Sequence, residues 1–153
     1  MLLGAAAGAA GTWVMDQVTT VLYEREPDAA REREDRARGD KTAYAIVVEK
    51  AAKRAGLELS EDHQQLAATA IHWSTGVGAG AAYGALRHGM PRLGLGSGVL
   101  FGMAVFLALD EAALTLMGIV PPPREFPWQT HARGLAGHLV LGALIEAPFD
   151  LID

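Results

Sequence analysis

The sequence predicts an all-α integral membrane protein, a four-helix bundle carrying a charged cytoplasmic helical arm, and three observations predict it. From His63 to Leu86 there are 24 residues without Asp, Glu, Lys or Arg, long enough to cross a hydrocarbon core of roughly 30 Å at about 1.5 Å per residue. Of the 31 charged residues, 20 lie between Glu24 and Asp62, which leaves 11 for the other 114 positions. A soluble globule rarely segregates charge so completely. Most of the 18 glycines fall inside the apolar segments; glycine weakens a water-exposed helix but lets helix backbones approach closely in lipid. A soluble, glycine-rich four-helix bundle is the competing reading.

The elements follow in order. Residues 1–23 form the first span, interrupted only by Asp16. They lack the basic start of a signal peptide, and Asp16 and Gln17 stand where small residues would mark cleavage, so mature structure is expected. Residues 24–62 form the arm. Glu24 to Asp40 is a mixed-charge run expected as solvated helix or coil, and Lys41 to Gly56 has helical composition ending at a glycine stop. Tyr44, Val47, Val48, Ala51 and Ala55 share much of one face there, which suits either the lipid interface or packing against the loops. Residues 64–86 are the second span, and Arg87 to Arg92 a tight turn broken by Pro91. Residues 93–119 are the third span, interrupted by Asp110 and Glu111. Pro121 to Pro123 read as a rigid turn leading to an interfacial Trp128, and residues 133–152 form the fourth span, with Glu146, Pro148 and Asp150.

Glycines four apart should form the packing ridges: Gly4 and Gly8; Gly76, Gly80 and Gly84; Gly94, Gly98 and Gly102. Orientation follows from Lys and Arg in the loops. Nine fall in the loop after the first span, and Arg124 and Arg133 follow the third, against Arg87 and Arg92 on the other side. Both large loops are therefore expected in the cytoplasm and both termini outside.

Composition excludes several chemistries. With no cysteine there is no disulfide, thiolate nucleophile or thiolate metal site, so His and carboxylates are the strong candidate ligands. A formal charge of −5, with every basic tract interleaved with acids, argues against a nucleic-acid surface. No P-loop or Gly-x-Ser-x-Gly elbow occurs.

The candidate site comes from ionisable residues at membrane depth, which are expensive there and mark functional positions by default. Asp16, His72, Asp110 and His138 each lie six to eight residues from the cytoplasmic end of their spans, hence in one layer roughly 9–12 Å deep. The helices also echo one another. Gly4, Gly8 and Asp16 match Gly98, Gly102 and Asp110 in spacing, and His72 with Gly76 matches His138 with Gly142; an internal duplication and a coincidence of glycine pairs both account for this. Two imidazoles and two carboxylates suit a divalent transition metal or a proton relay. His63 and His131 would form a further His pair near the cytoplasmic mouth, Glu111 adjoins Asp110, and Glu146 followed by Asp150 would extend a relay outward from His138. Each polar group could instead bond a neighbouring helix and only fix packing. A di-iron carboxylate site is not expected, because Thr69 and Leu135 stand where Glu-x-x-His pairs need a Glu. A bis-His haem between His72 and His138 is disfavoured by the carboxylates beside it.

The runs His72-Trp73-Ser74-Thr75, Met117 to Pro123, Phe126-Pro127-Trp128 and Gly137-His138-Leu139-Val140 resemble the YagU-like family of small bacterial inner-membrane proteins. The glycine-rich first span leading into Glu24 to Pro27 is similar too. The resemblance covers the four apolar segments and implies a multi-helix inner-membrane protein. It supplies no activity and hence no catalytic residues. The functional expectation is thus ion, proton or divalent-metal handling through the Asp16, His72, Asp110 and His138 layer, in a lipid bilayer, as a homo-oligomer or with a membrane-protein partner. The rival is a non-catalytic accessory or scaffold protein; an enzyme ranks third.

Overall fold

The computed structural model describes residues 1–39, 41–90 and 96–152, and among these the chain is helical without a strand. The helices are α1 (Leu2–Glu24), α2 (Asp28–Arg38), α3 (Ala43–Ala55), α4 (Glu61–Gly89), α5 (Ser97–Leu116) and α6 (Trp128–Asp150), with a short 3-10 turn at Pro123–Glu125. The expected turn at Pro91 and the ridge position Gly94 lie outside the described residues.

Local chemistry sets the boundaries. The Ser60 hydroxyl accepts the His63 N–H at the start of α4, and the Thr42 hydroxyl accepts the Ala45 N–H at the start of α3, each satisfying a donor the helix leaves orphaned. Gly39 and Gly56 end α2 and α3 in the left-handed conformation, at φ of 66° and 67°, which glycine adopts without a Cβ penalty. α6 begins five residues before the expected span and runs through Pro148 to Asp150.

The four long helices pack in the order α4, α1, α6, α5, each antiparallel to its neighbour. Glycine makes the two outer seams. A Cβ built on Gly80 would overlap the Gly4 carbonyl, and one on Gly8 the Gly76 carbonyl; a Cβ on Gly98 would overlap the Gly142 carbonyl, and one on Gly102 that of His138. Backbone therefore lies on backbone. The two seams differ in register. Gly8 meets Gly76 and Gly80, whereas its spacing counterpart Gly102 meets His138 and Gly142, one turn earlier than the echo implies. α1 joins α6 through Gly11 on Leu141 and Gly137 on Met15 and Thr19.

At the end away from the arm the bundle is closed. Tyr83, Leu141 and Ile145 form its core, with Phe101 and Phe149 set edge-on to the Tyr83 ring at 5.3 and 5.9 Å. Towards the arm α4 and α5 diverge, and only a few residues of the two touch.

One helix among the described residues, α5, is long and apolar enough to cross a membrane, with mean hydropathy 1.9 over a mostly outward-facing surface. The run 63–86, expected as the surest span, does not reach that apolarity. Freedom from charge is not apolarity: α4 carries Gln64, Gln65, His72, Ser74 and Thr75. Leu66 on α4, Trp13 on α1 and Leu100 and Leu107 on α5 nevertheless point outward.

The arm departs from expectation. α2 is docked rather than solvated, and Glu34 is only 4% exposed. Its carboxylate receives both Arg133 contacts at 2.7 and 2.6 Å, the Arg38 guanidinium at 2.7 Å and the Thr130 hydroxyl at 2.8 Å. Arg133 also holds Glu26 at 2.5 Å and lies over the Tyr23 ring at 4.9 Å. Arg33 donates to the carbonyls of Arg124 and Glu125, and Lys50 on α3 to those of Gly118 and Ile119. α3 packs on α4, and Lys50 ties it to the turn that follows α5.

Burial alone would push the Glu34 carboxyl up, but hydrogen bonding from Arg133, the charge of Arg38 and the Thr130 hydroxyl outweigh it and hold it below the ordinary glutamate range. A depressed folded pKa stabilises fully above the ordinary value of about 4.3 and is lost as pH falls through the folded value. The melting-temperature gap between wild type and Glu34→Gln should therefore be constant above about pH 5 and shrink below pH 4. A gap that widens on acidification would contradict this.

Candidate functional site

Where α4 and α5 diverge lies a cavity of about 490 Å³, and Asp16, His72, Asp110 and His138 all line it, each from a different long helix. α1 supplies Asp16, whose Oδ1 lies 2.8 Å from His72 Nε2 on α4. The ring nitrogen donates to the carboxylate. On the opposite wall Asp110 Oδ2 lies 3.8 Å from His138 Nδ1, too far for a hydrogen bond. That nitrogen donates instead to the Gly134 carbonyl of its own helix at 2.9 Å. The register difference between the two glycine seams accompanies this asymmetry: one pair is closed, the other open.

Asp110 and Glu111 reach the cavity through irregular backbone. Residues Phe106–Ala113 of α5 form a π-helical segment. In an α-helix Phe106, Asp110 and Glu111 would fan over roughly 140°; with i→i+5 bonding and roughly 4.4 residues per turn, Phe106 sits between the two acids and the fan closes to roughly 80°. All three line the cavity. Two adjacent acids in an apolar run are a visible signal, but the π turn that aims both inward has no sequence signature here.

His131 forms a third pair, with Glu111 Oε1 at 2.5 Å from Nδ1, while Nε2 lies 3.0 Å from the Pro123 carbonyl. A carbonyl only accepts, so Nε2 carries a hydrogen, and a proton must also lie between Nδ1 and the carboxylate. The Glu111–His131 pair is therefore neutral as a unit. Arg38 and Arg133 also line the cavity, both neutralised by Glu34 and Glu26.

The roof is aromatic. Tyr44 on α3 lies with its ring 5.2 Å from that of His72, Phe106 is 5.6 Å from His138 and Phe126 is 6.3 Å from His131. Burial, and then the negative field of Asp110, push the Tyr44 hydroxyl above its ordinary pKa, so it stays a neutral donor. Only the place of Tyr44 on an apolar face was visible beforehand; Arg38, Arg133, Phe106 and Phe126 were not anticipated at a site.

Other expected members lie elsewhere. Glu146 is 4% exposed at the closed end, where it accepts the Gly96 N–H at 3.1 Å and the Ser97 hydroxyl at 2.8 Å, with Tyr83 Oη 3.2 Å away. It caps the start of α5 and extends no chain from His138. Asp150 pairs with Arg87 at 3.1 Å. His63 bonds the Ser60 hydroxyl on the exposed start of α4 and does not join His131. No group of three or more His, Asp or Glu among the described residues is arranged to hold a metal ion. The imidazoles are committed pairwise, His72 to Asp16 and His131 to Glu111, with His138 on a carbonyl, so the expected divalent-metal ligand set does not assemble.

A family model described as protein of unknown function, DUF1440, matches residues 37–147. The chain belongs to this family. The DUF1440 segment includes His72, Asp110, Glu111, His131 and His138 and begins beyond Asp16, Glu26 and Glu34. Neither the curated proteins nor the solved structures offer a match.

Proposed function

We propose that this DUF1440 protein is a multi-pass inner-membrane protein, of the YagU-like kind, that takes protons or small cations into a blind vestibule lined by the Asp16–His72 and Asp110–His138 pairs. The observation that carries the reading is convergence: four titratable side chains from four helices, all within predicted spans, line one cavity. Carboxylate–imidazole pairs exchange a proton at little cost, and such groups at membrane depth mark ion pathways. The vestibule lies on the side of the nine Lys and Arg of the arm, expected in the cytoplasm. Between it and the far end of the bundle stands the Tyr83, Leu141 and Ile145 core, so passage across the membrane requires that core to part. Outward-facing Trp13, Leu100 and Leu107 would meet lipid or a membrane partner.

The test is a proton flux. Protein reconstituted into liposomes with an internal pH dye should dissipate an imposed gradient, and Asp16→Asn combined with His138→Ala should return the rate to that of protein-free liposomes while the detergent-solubilised protein stays monodisperse. An unchanged rate sinks the proposal. The scaffold reading draws support from Glu146, a polar group spent wholly on packing; it expects the same double variant to lose assembly and wild type to show no flux.

A further inference from the structure

We infer that the vestibule is a binding site for a primary or secondary amine, held as its ammonium and carried on an apolar or aromatic body. The inference rests on the reading that this cavity is the working site, and names what it takes beyond protons.

The argument begins with charge. Of the cationic groups on the cavity wall, Arg38 and Arg133 are both bound to Glu34, and Arg133 to Glu26 as well. Glu111 and His131 are neutral as a pair. What remains is Asp16 and Asp110, two carboxylates whose partners are imidazoles rather than a fixed cation. Asp110 in addition accepts no hydrogen bond among the described residues, its nearest ring nitrogen being 3.8 Å away and turned to the Gly134 carbonyl. A carboxylate in a partly closed cavity wants donors as well as charge, and an ammonium with N–H groups supplies both. A quaternary ammonium or an alkali ion supplies charge alone.

The walls argue for the rest of the ligand. Tyr44, Trp73, Phe106 and Phe126 line the same cavity, and aromatic faces attract cations and accept apolar bodies. Phe126 already holds one cation, the Arg38 guanidinium, 5.2 Å from its ring centre. A volume of about 490 Å³ falls within the range of small-molecule pockets, a few polar groups among apolar walls being their usual make-up. Anionic ligands would meet both carboxylates, of which only Asp16 accepts a hydrogen bond from an imidazole.

Trp73 reports on the site, because Trp13 and Trp128 are 58% and 73% exposed and replaceable by Phe. In detergent at pH 7.5, the Trp13→Phe/Trp128→Phe protein should show saturable Trp73 quenching by benzylamine, with affinity at least about tenfold above that for uncharged benzyl alcohol of the same size. Asp110→Asn should erase the preference. Tyr44→Leu, on a helix outside the bundle, should reduce it about threefold, and Glu58→Gln, on the exposed α3–α4 linker, should leave it intact. Equal binding of amine and alcohol overturns the inference, as does a preference that survives Asp110→Asn. If that happens while proton flux persists, the amine site falls and the proton reading stands; if flux is missing as well, both fall.

Discussion

Gly80→Leu is expected to prevent a stable bundle, whereas Gly78→Leu, two residues away on the same helix, should fold as wild type. A Cβ at position 80 overlaps the Gly4 carbonyl oxygen and comes within 2.8 Å of the Gly8 nitrogen and Cα. All three neighbours are backbone. No rotamer change relieves them, so α4 must move off α1, taking Gly8 off Gly76 with it. Overpacking a fitted core costs roughly 1–3 kcal/mol where side chains can yield; here they cannot, so roughly 3 kcal/mol or more is expected, a large share of typical stability. At Gly78 a Cβ meets nothing within 4 Å. Denaturation midpoints in mild detergent should separate the two variants widely, and equal midpoints would show that the seam is not what holds α1 to α4. The corresponding substitution at Gly142, which overlaps Gly98, should open the α5–α6 seam and widen the vestibule from its other wall.

These seams were legible because small residues four apart on a helix leave a groove whatever their partner is. That Asp16, His72, Asp110 and His138 line one cavity was legible for a related reason: distance along a helix can be counted from its ends. Position around the helix axis could be counted only where the helix is regular. Asp110 and Glu111 break that count, since the π turn at Phe106–Ala113 brings both acids to one cavity. The glycine echo was visible too, but echoing spacing does not fix how far the partner helix slides, and the one-turn shift between seams left only Asp16–His72 in hydrogen-bond contact.

What could not be read depends on partners distant in sequence. Glu34 sits in a run where nearly every residue is charged, and nothing local distinguishes it from Glu32, which stays exposed in an exposed pair with Arg36. The difference lies 99 residues away, in Arg133. Glu146 looked like a continuation of the His138 face, two turns on; only the approach of the α5 start to that turn made it a cap. The same holds for the expected His63–His131 pair, since His63 was placed by depth alone and turned to its own capping serine.

Arg133→Met should be the most damaging single change outside the glycine seams. The guanidinium is 11% exposed and faces carboxylates of 5% and 7% exposure, Glu34 and Glu26. Removing it strands Glu26 and leaves Glu34 to Arg38 alone where water scarcely reaches, and losing one partner of a buried pair costs roughly 3–5 kcal/mol because the stranded charge is not resolvated. Arg133→Lys should rescue little: the fork meets both Glu34 oxygens and Glu26 together, a geometry that a single ammonium cannot reproduce. Adding Glu26→Gln to Arg133→Met should recover part of the loss, since it removes the stranded charge, so the double variant will be less destabilised than the sum of the singles. The defect should also be local at first. Arg33, Thr130 and the stacking of Arg38 on Phe126 tie the same helix to the rim of the vestibule, so trypsin should cut after Arg38 and Lys41 faster in Arg133→Met than in wild type before the bundle itself unfolds. Uniform protection in both proteins would mean that α2 is held by something other than this cluster, and that the roof over Asp16 and Asp110 does not depend on it.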